Sequence, residues 1–348
     1  MSRCGSARLP QQPAPPCEIL PVNVSALKFG FLAIVFMAPL APPVCRAQVA
    51  AKSPPVVRPF DVRQVKLLDG PFKEAQDADA AYLLTLKPDR LLSWYRKDAG
   101  LEPKAEQYGG WEAMGIAGHS LGHYLSACAR MHHADGDEEF RRRVDYVVAE
   151  LAACQEAGGD GFVGAMPRGR EVFAEVARGD IRSRGFDLNG SWVPWYTLHK
   201  LFAGLIDAYR LCDNEQALDV ASRLGRWAIE TTADLTPEQW QQMLACEHGG
   251  MNESLAELYQ LTGDEEFLKL AKKFYHKQIL DPLAAERDEL EGKHSNTQVP
   301  KIIGAAKIAE LTGEAKFAVI ARFFWSTIVD THPYAMGGNS MREHLGPP

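Results

Sequence analysis

The chain has 348 residues, 46% of them hydrophobic and 24% charged, with a formal net charge of -7. That composition suits a globular enzyme-sized protein with one large or two smaller cores and excludes a disordered chain. The acidic balance argues against nucleic acid or anionic lipid as the main partner, because both select clustered Lys and Arg.

Taken in chain order, residues 1–47 read as an export signal with a long n-region. Arg3, Arg8 and Lys28 precede an apolar run at 29–40, and Cys45-Arg46-Ala47 places small residues where a signal peptidase cuts. A single membrane anchor is the alternative, but the run is short and Pro39, Pro42 and Pro43 interrupt it; no later stretch is apolar for long enough to span a bilayer. The mature protein is therefore expected to be exported, periplasmic or extracellular, without a membrane span. Residues 48–66 form an extended Pro- and Val-rich lead, and residues 67–348 form one catalytic-type domain.

Helical periodicity dominates that domain. It predicts helices over 72–86, 88–96, 118–132, 138–157, 196–211, 214–232, 250–261, 264–279, 297–311 and 315–330. The second-half helices come in pairs joined by short acidic turns: His133-Ala134-Asp135-Gly136-Asp137, Leu211-Cys212-Asp213-Asn214-Glu215, Leu261-Thr262-Gly263-Asp264-Glu265 and Leu311-Thr312-Gly313-Glu314. Gly or Asn lets one helix stop, and the acidic residues suit the positive end of the next. The last three turns recur at a roughly 50-residue period, the mark of stacked αα-hairpins. Arg141-Arg142-Arg143, the one dense basic run, falls on a helix and reads as a solvated face. Between 158 and 194 the pattern breaks into a long Gly-, Pro- and Arg-rich loop with aromatic residues, of the kind that carries function. Strands are expected to be minor.

Of seven cysteines, Cys4, Cys17 and Cys45 lie in the signal segment. Cys128, Cys154, Cys212 and Cys246 fall mostly on helical faces without Cys-x-x-Cys spacing, so they read as buried thiols.

Several motifs could carry chemistry. Gly118-His119-Ser120-Leu121-Gly122 matches a nucleophile elbow, but no strand precedes it, and that motif works only at a strand-to-helix turn. His119 and His123 share a helix face at a spacing able to hold a metal, without an obvious third ligand; binding neighbouring helices or lining a polar cavity is the plainer role. Polar clusters recur near the start of each first helix: His119 with His123, His199, His248 with Asn252 and Glu253, and His294 with Asn296 and Gln298. In a toroid of paired helices these ends converge at one mouth, near Tyr108, Trp111, Trp192, Trp195 and Tyr196. Neutral polar groups with flat aromatic walls suit sugars, whereas phosphate would require Lys, Arg or a Gly-rich cradle. Glu343 lies in the Gly-rich stretch Gly337-Gly338-Asn339-Ser340-Met341-Arg342-Glu343-His344; if burial raises its pKa it is a natural general acid/base, and otherwise it is a surface loop residue.

Taken together, Tyr108-Gly109-Gly110-Trp111-Glu112, the segment from Gly118 to Ala127, Trp195-Tyr196-Thr197-Leu198-His199-Lys200, Asn296-Thr297-Gln298-Val299-Pro300-Lys301 and the Glu343 stretch resemble the β-L-arabinofuranosidase-like glycoside hydrolases of families 127 and 146, formerly a domain of unknown function. The resemblance runs from about Val62 to Pro348. It implies an all-α, (α/α)6 six-hairpin toroid and retaining removal of arabinofuranose from plant or arabinan-type glycans. Glu343 would be the general acid/base. His199 and the His248 region would contact sugar, with Trp111, Glu112, His119, His123, His294 and Gln298 as further substrate-site candidates. The family nucleophile is a zinc-held cysteine thiolate downstream of the acid/base, and coordination would deprotonate the thiol. None of this chain's cysteines matches that motif, so the resemblance puts the nucleophile and the zinc ligands downstream of Pro348 and expects no metal ligand within the chain. It therefore implies the N-terminal part of such a domain, incomplete at its C-terminus, without normal turnover and with zinc expected only in the full-length enzyme. Two other readings stand beside it: a six-hairpin uronyl glycosidase or lyase, and a non-catalytic helical-repeat protein that binds glycans.

Overall fold

The computed structural model describes residues 48–53, 57 and 60–348. The export signal expected over residues 1–47, with Cys4, Cys17 and Cys45, lies outside the described residues. Among the described residues the fold is all-α, with α1 (Pro71–Thr85), α2 (Pro88–Asp98), α3 (His119–Asp135), α4 (Glu138–Gly158), α5 (Gly169–Ala177), α6 (Pro194–Cys212), α7 (Glu215–Thr231), α8 (Pro237–Leu244), α9 (Met251–Thr262), α10 (Glu265–Lys273), α11 (Lys277–Ala284), α12 (Ser295–Thr312) and α13 (Ala315–Asp330). None of these helices is long and apolar enough to cross a membrane.

The acidic turns work as the sequence suggests. Gly136, Gly263 and Gly313 close α3, α9 and α12 in the left-handed region, and Asp213 does the same for α6. Asp137, Asn214 and Asp264 then cap α4, α7 and α10, each accepting a backbone N–H of the first turn. Four successive hairpins result: α3/α4, α6/α7, α9/α10 and α12/α13. The first members α3, α6, α9 and α12 pack side by side as an inner layer, and α4, α7 and α10 lie outside them. This is the layered wall of an αα toroid. Leu121, Leu125, Leu201, Phe202, Leu205 and Leu255 are buried in the core, so each amphipathic face is spent on its neighbours.

Helices α3 and α6 approach backbone to backbone. A Cβ at Gly204 would stand 2.6 Å from the Gly122 carbonyl oxygen and 2.9 Å from Leu125 Cβ. Gly122 and Gly204 thus bring two backbones into contact. Ser120, between Gly118 and Gly122, lies inside α3 and follows a 3₁₀ turn (Gly110–Ala113), so the elbow geometry is absent there.

Three local features depart from the expected pattern. The single helix expected over 264–279 breaks at Phe274-Tyr275-His276, where buried Phe274 packs edge-on against Trp195 and Trp240 with centroids 5.2 and 5.3 Å away. Helix α8 has no counterpart among the expected helices, although Thr236 and Gln239 form a full capping box and Pro237 occupies its first turn. The long 158–194 segment holds α5 and a three-stranded antiparallel meander, β1 (Ser183–Arg184), β2 (Asp187–Leu188) and β3 (Ser191–Trp192). A second hairpin pairs β4 (Ser340–Met341) with β5 (His344–Leu345). The lead crosses the helix ends: Val49 N–H donates to the Gln260 carbonyl and Ser53 N–H to that of Glu310.

Candidate active site

The N-terminal ends of the inner helices open into a cavity of about 520 Å³. One wall is aromatic: Trp111 from the 3₁₀ turn, Phe186 and Trp192 from the meander, and Tyr196 from the first turn of α6. Lys200, Glu247, His294, Asn296 and Glu343 supply its polar groups. Val193, which caps α6 in this wall, has φ 41° and ψ 55°. A β-branched residue is rare in that region, and backbone strain of this kind collects at functional sites.

Glu343 is placed by a hairpin. Strands β4 and β5 are joined by the two residues Arg342 and Glu343, with φ of 49° and 66°. Positive φ at both positions is the type I′ geometry that suits the strand twist, normally filled by Asn-Gly. Here two bulky charged residues occupy it, which raises the carboxyl onto the lip of the cavity. The hairpin is tied to α12, because the Glu343 carbonyl accepts the Ser295 N–H at 2.7 Å, filling one orphan donor of the first turn, and Leu345 N–H donates to the Lys293 carbonyl at 2.9 Å. The Glu343 side chain is 68% exposed, not buried as the sequence reading required. Instead its Oε2 lies 2.9 Å from His294 Nε2, and His294 Nδ1 lies 2.7 Å from Thr297 Oγ1. Phe186 and His344 pack edge-on against the His294 ring at 5.1 and 5.3 Å.

Trp111, His294 and Glu343 thus meet in the cavity. The other candidates do not line it. Glu112 is buried, and its Oε2 accepts the Gly118 N–H at 2.9 Å, which places a carboxyl group at the N-terminus of α3. His119 is buried with Nδ1 2.7 Å from the Ile116 carbonyl oxygen, and its ring lies 5.6 Å from Trp111 and 6.2 Å from Tyr196. His123 is exposed, its ring 6.1 Å from that of His119. His199 and His248 are buried; each leaves one ring nitrogen, Nδ1 and Nε2 respectively, without a hydrogen-bond partner. Burial holds His199 down to about 3 and His248 well below the ordinary imidazole value, so both rings are neutral at pH 7. Gln298 is also buried and accepts the Lys301 ammonium at 3.0 Å. Lys301 itself is brought down to about 7 by burial.

Sequence reasoning missed Glu247 and Thr297 as site residues. Glu247 is only 7% exposed yet lines the cavity. Its position beside His248, in the loop leading to α9, was the available signal. Burial pushes the Glu247 carboxyl up, while His294, Lys301, the Thr297 hydroxyl and Lys200 pull it back.

The four described cysteines are free and buried. Desolvation pushes the thiols of Cys128 and Cys154 up to about 11 and those of Cys212 and Cys246 to about 12, which keeps them protonated and poorly nucleophilic. Among the described residues no group of three or more His, Cys, Asp or Glu could hold a metal ion. Pro348, the position beyond which the resemblance puts the zinc ligands, is exposed, has no side-chain donor of its own and does not line the cavity. Among the described residues the donor set does not fit zinc.

A family model described as the β-L-arabinofuranosidase GH127 catalytic domain matches residues 64–348. Among solved structures, a GH127 β-L-arabinofuranosidase from Geobacillus stearothermophilus T6 is similar over 79% of this chain and 46% of its own, with 16% identity and a TM-score of 0.53. A second GH127 β-arabinofuranosidase is similar over 80% of this chain and 45% of its own, with 17% identity and the same TM-score of 0.53. At that identity the likeness establishes the fold. The chain spans under half the length of these structures. No curated protein matches it.

Proposed function

Because the chain belongs to the GH127 β-L-arabinofuranosidase catalytic-domain family, we propose that its cavity receives a terminal β-L-arabinofuranosyl group and that Glu343 is the general acid of a retaining glycosidase. One observation carries this reading: a strained hairpin lifts Glu343 onto the lip of an aromatic cavity and ties it to His294 at 2.9 Å. Trp111, Trp192 and Tyr196 offer flat faces to a sugar ring, and Asn296, Lys200 and Glu247 offer partners for its hydroxyls. Glu343 would donate its proton to the glycosidic oxygen as the anomeric C–O bond breaks, and the bonding pair would leave with that oxygen.

Retention requires a nucleophile on the opposite face. The described thiols are protonated and buried, so the described residues supply sugar binding and the proton donor, not the nucleophile. The export signal read in residues 1–47 supports an activity outside the cytoplasm, on plant or arabinan-type glycans. Zinc belongs to this proposal only through the family's cysteine motif.

The test joins binding to turnover. Titration calorimetry with L-arabinose should show an interaction that Trp111→Ala weakens, and hydrolysis of an aryl β-L-arabinofuranoside reports turnover. Any turnover present should fall at least about a hundredfold in Glu343→Gln, the usual scale of general acid catalysis. Cleavage of unsaturated uronides with no response to arabinosides would refute the proposal. Sugar binding and turnover that both survive Glu343→Gln would refute the role given to Glu343.

A further inference from the structure

Glu343 sits at the tip of a hairpin that cannot hold itself. Strands β4 and β5 pair over two residues each, Arg342 and Glu343 between them both take positive φ, and β4 is exposed along its length. An isolated two-stranded hairpin is marginal at best in water. What points Glu343 at the cavity must therefore reach it from the body of the protein, through β5.

Three anchors do so. The first is backbone: Gly292 N–H donates to the Leu345 carbonyl and Leu345 N–H to that of Lys293, both at 2.9 Å, and Ser295 N–H donates to that of Glu343. The second is the Leu345 side chain, which is buried. The third is a side chain that no sequence motif singled out and the proposed reaction does not use. His332, just past the end of α13, is only 3% exposed; its Nδ1 donates to the Gly346 carbonyl at 2.8 Å, and its Nε2 lies 2.9 Å from Asp288 Oδ2. Asp288 stands in the loop between α11 and α12 and accepts the Leu290 N–H through Oδ1 at 3.0 Å.

One ring thus joins the strand that follows Glu343 to the loop that leads into His294. Those segments carry the two halves of the 2.9 Å contact between Glu343 and His294. We propose that His332 and Asp288 are positioning residues that clamp hairpin and loop together, so that the Glu343 carboxyl faces the cavity beside His294. This inference rests on the reading of Glu343 as the acid. The backbone bonds run along one edge of β5 and leave it free to hinge about that edge, whereas the bond at Gly346 fixes the chain beyond the ladder. The clamp is referred to a helix, because His332 N–H donates to the Thr327 carbonyl in the last turn of α13. Loss of the ring would leave the Gly346 carbonyl and the Asp288 carboxyl without this partner.

Two readouts on the full chain test the clamp without requiring turnover. In His332→Ala the Ser295 and Leu345 amides should exchange with solvent about tenfold faster or more, the scale of one lost hydrogen bond, while Leu205 in the core of α6 keeps its rate. Asp288→Ala should act in the same direction, and Asp288→Asn, which keeps an acceptor for the ring, should restore slow exchange. In ¹⁵N NMR of the histidine rings, with His294 assigned by its loss in His294→Gln, Glu343→Gln should shift the His294 signals in the wild-type background and leave them unmoved in His332→Ala. The same shift in both backgrounds, or unchanged exchange at Ser295 and Leu345, would overturn the clamp. Faster exchange shared equally by Leu205 would overturn it too, since His332 would then only hold the fold together. If His332→Ala does not fold, Asp288→Ala decides by the same two readouts. Where arabinoside is turned over, His332→Ala should lower kcat about tenfold with KM unchanged, and more on a poor leaving group than on an activated one. Turnover that survives Glu343→Gln would refute the acid, while the exchange rates and ring signals still decide the clamp.

Discussion

Replacing Gly204 by Ala tests whether the α3–α6 contact frames the cavity. In an open helix the change stabilises by about 1 kcal/mol, because Ala loses less backbone freedom on folding and is the better helix former. Here the new Cβ would stand 2.6 Å from the Gly122 carbonyl oxygen and 3.1 Å from Gly122 Cα, both backbone atoms that no rotamer change can move. Ordinary contact starts at 3.4 Å, so the helices must separate by roughly 0.8 Å at this point, and Leu125 Cβ at 2.9 Å resists the same shift. Overpacking of this kind costs about 1–3 kcal/mol and more than offsets the propensity gain. Tyr196, Lys200 and Gly204 follow one another at four-residue intervals on one stripe of α6, so the displacement also carries the cavity residues away from His119. Urea unfolding followed by circular dichroism should show a lower midpoint at unchanged slope, and L-arabinose affinity should fall with it. A variant as stable as wild type, or more so, would refute the idea that backbone contact limits this position.

Other outcomes follow from the same structure. Glu112→Ala should destabilise by about 1–3 kcal/mol by leaving the buried Gly118 N–H without its acceptor, and Glu112→Gln should recover most of the loss in urea denaturation. Burial holds His199 and His276 down to about 3, below the ordinary 6.5, so the unfolded chain binds more protons than the folded one below pH 6.5. Each therefore contributes stability that is full above pH 6.5 and is lost as the pH falls toward 3; half-buried Glu253, raised to about 7, opposes this between its ordinary 4.5 and 7. His276→Gln should flatten the acid loss of the urea midpoint between pH 6.5 and about 4, and an unaltered pH dependence would contradict the assignment. Trp111→Ala should weaken L-arabinose binding about tenfold by removing an exposed aromatic face from the cavity wall, and unchanged calorimetric affinity would remove Trp111 from the site.

The hairpin array was legible because its signals are local. A helix stops where Gly136, Gly263 or Gly313 adopts the left-handed region, and the next begins where Asp137, Asn214 or Asp264 captures a first-turn N–H. Those interactions span a few residues, so local sequence was enough to pair α3 with α4 and α9 with α10. The polar starts of the inner helices, His294 among them, were legible for the same reason. Distances between segments remote in sequence had to wait for the folded chain. Glu343 meets His294 because the carbonyl of a hairpin 49 residues downstream accepts a first-turn N–H of α12. Glu112 and Gln298, polar and beside cavity residues in sequence, turn inward to satisfy Gly118 and Lys301, since buried donors require acceptors. Glu247 enters the cavity from a loop that carries no period at all, and no one-dimensional pattern records that its side chain turns into that space.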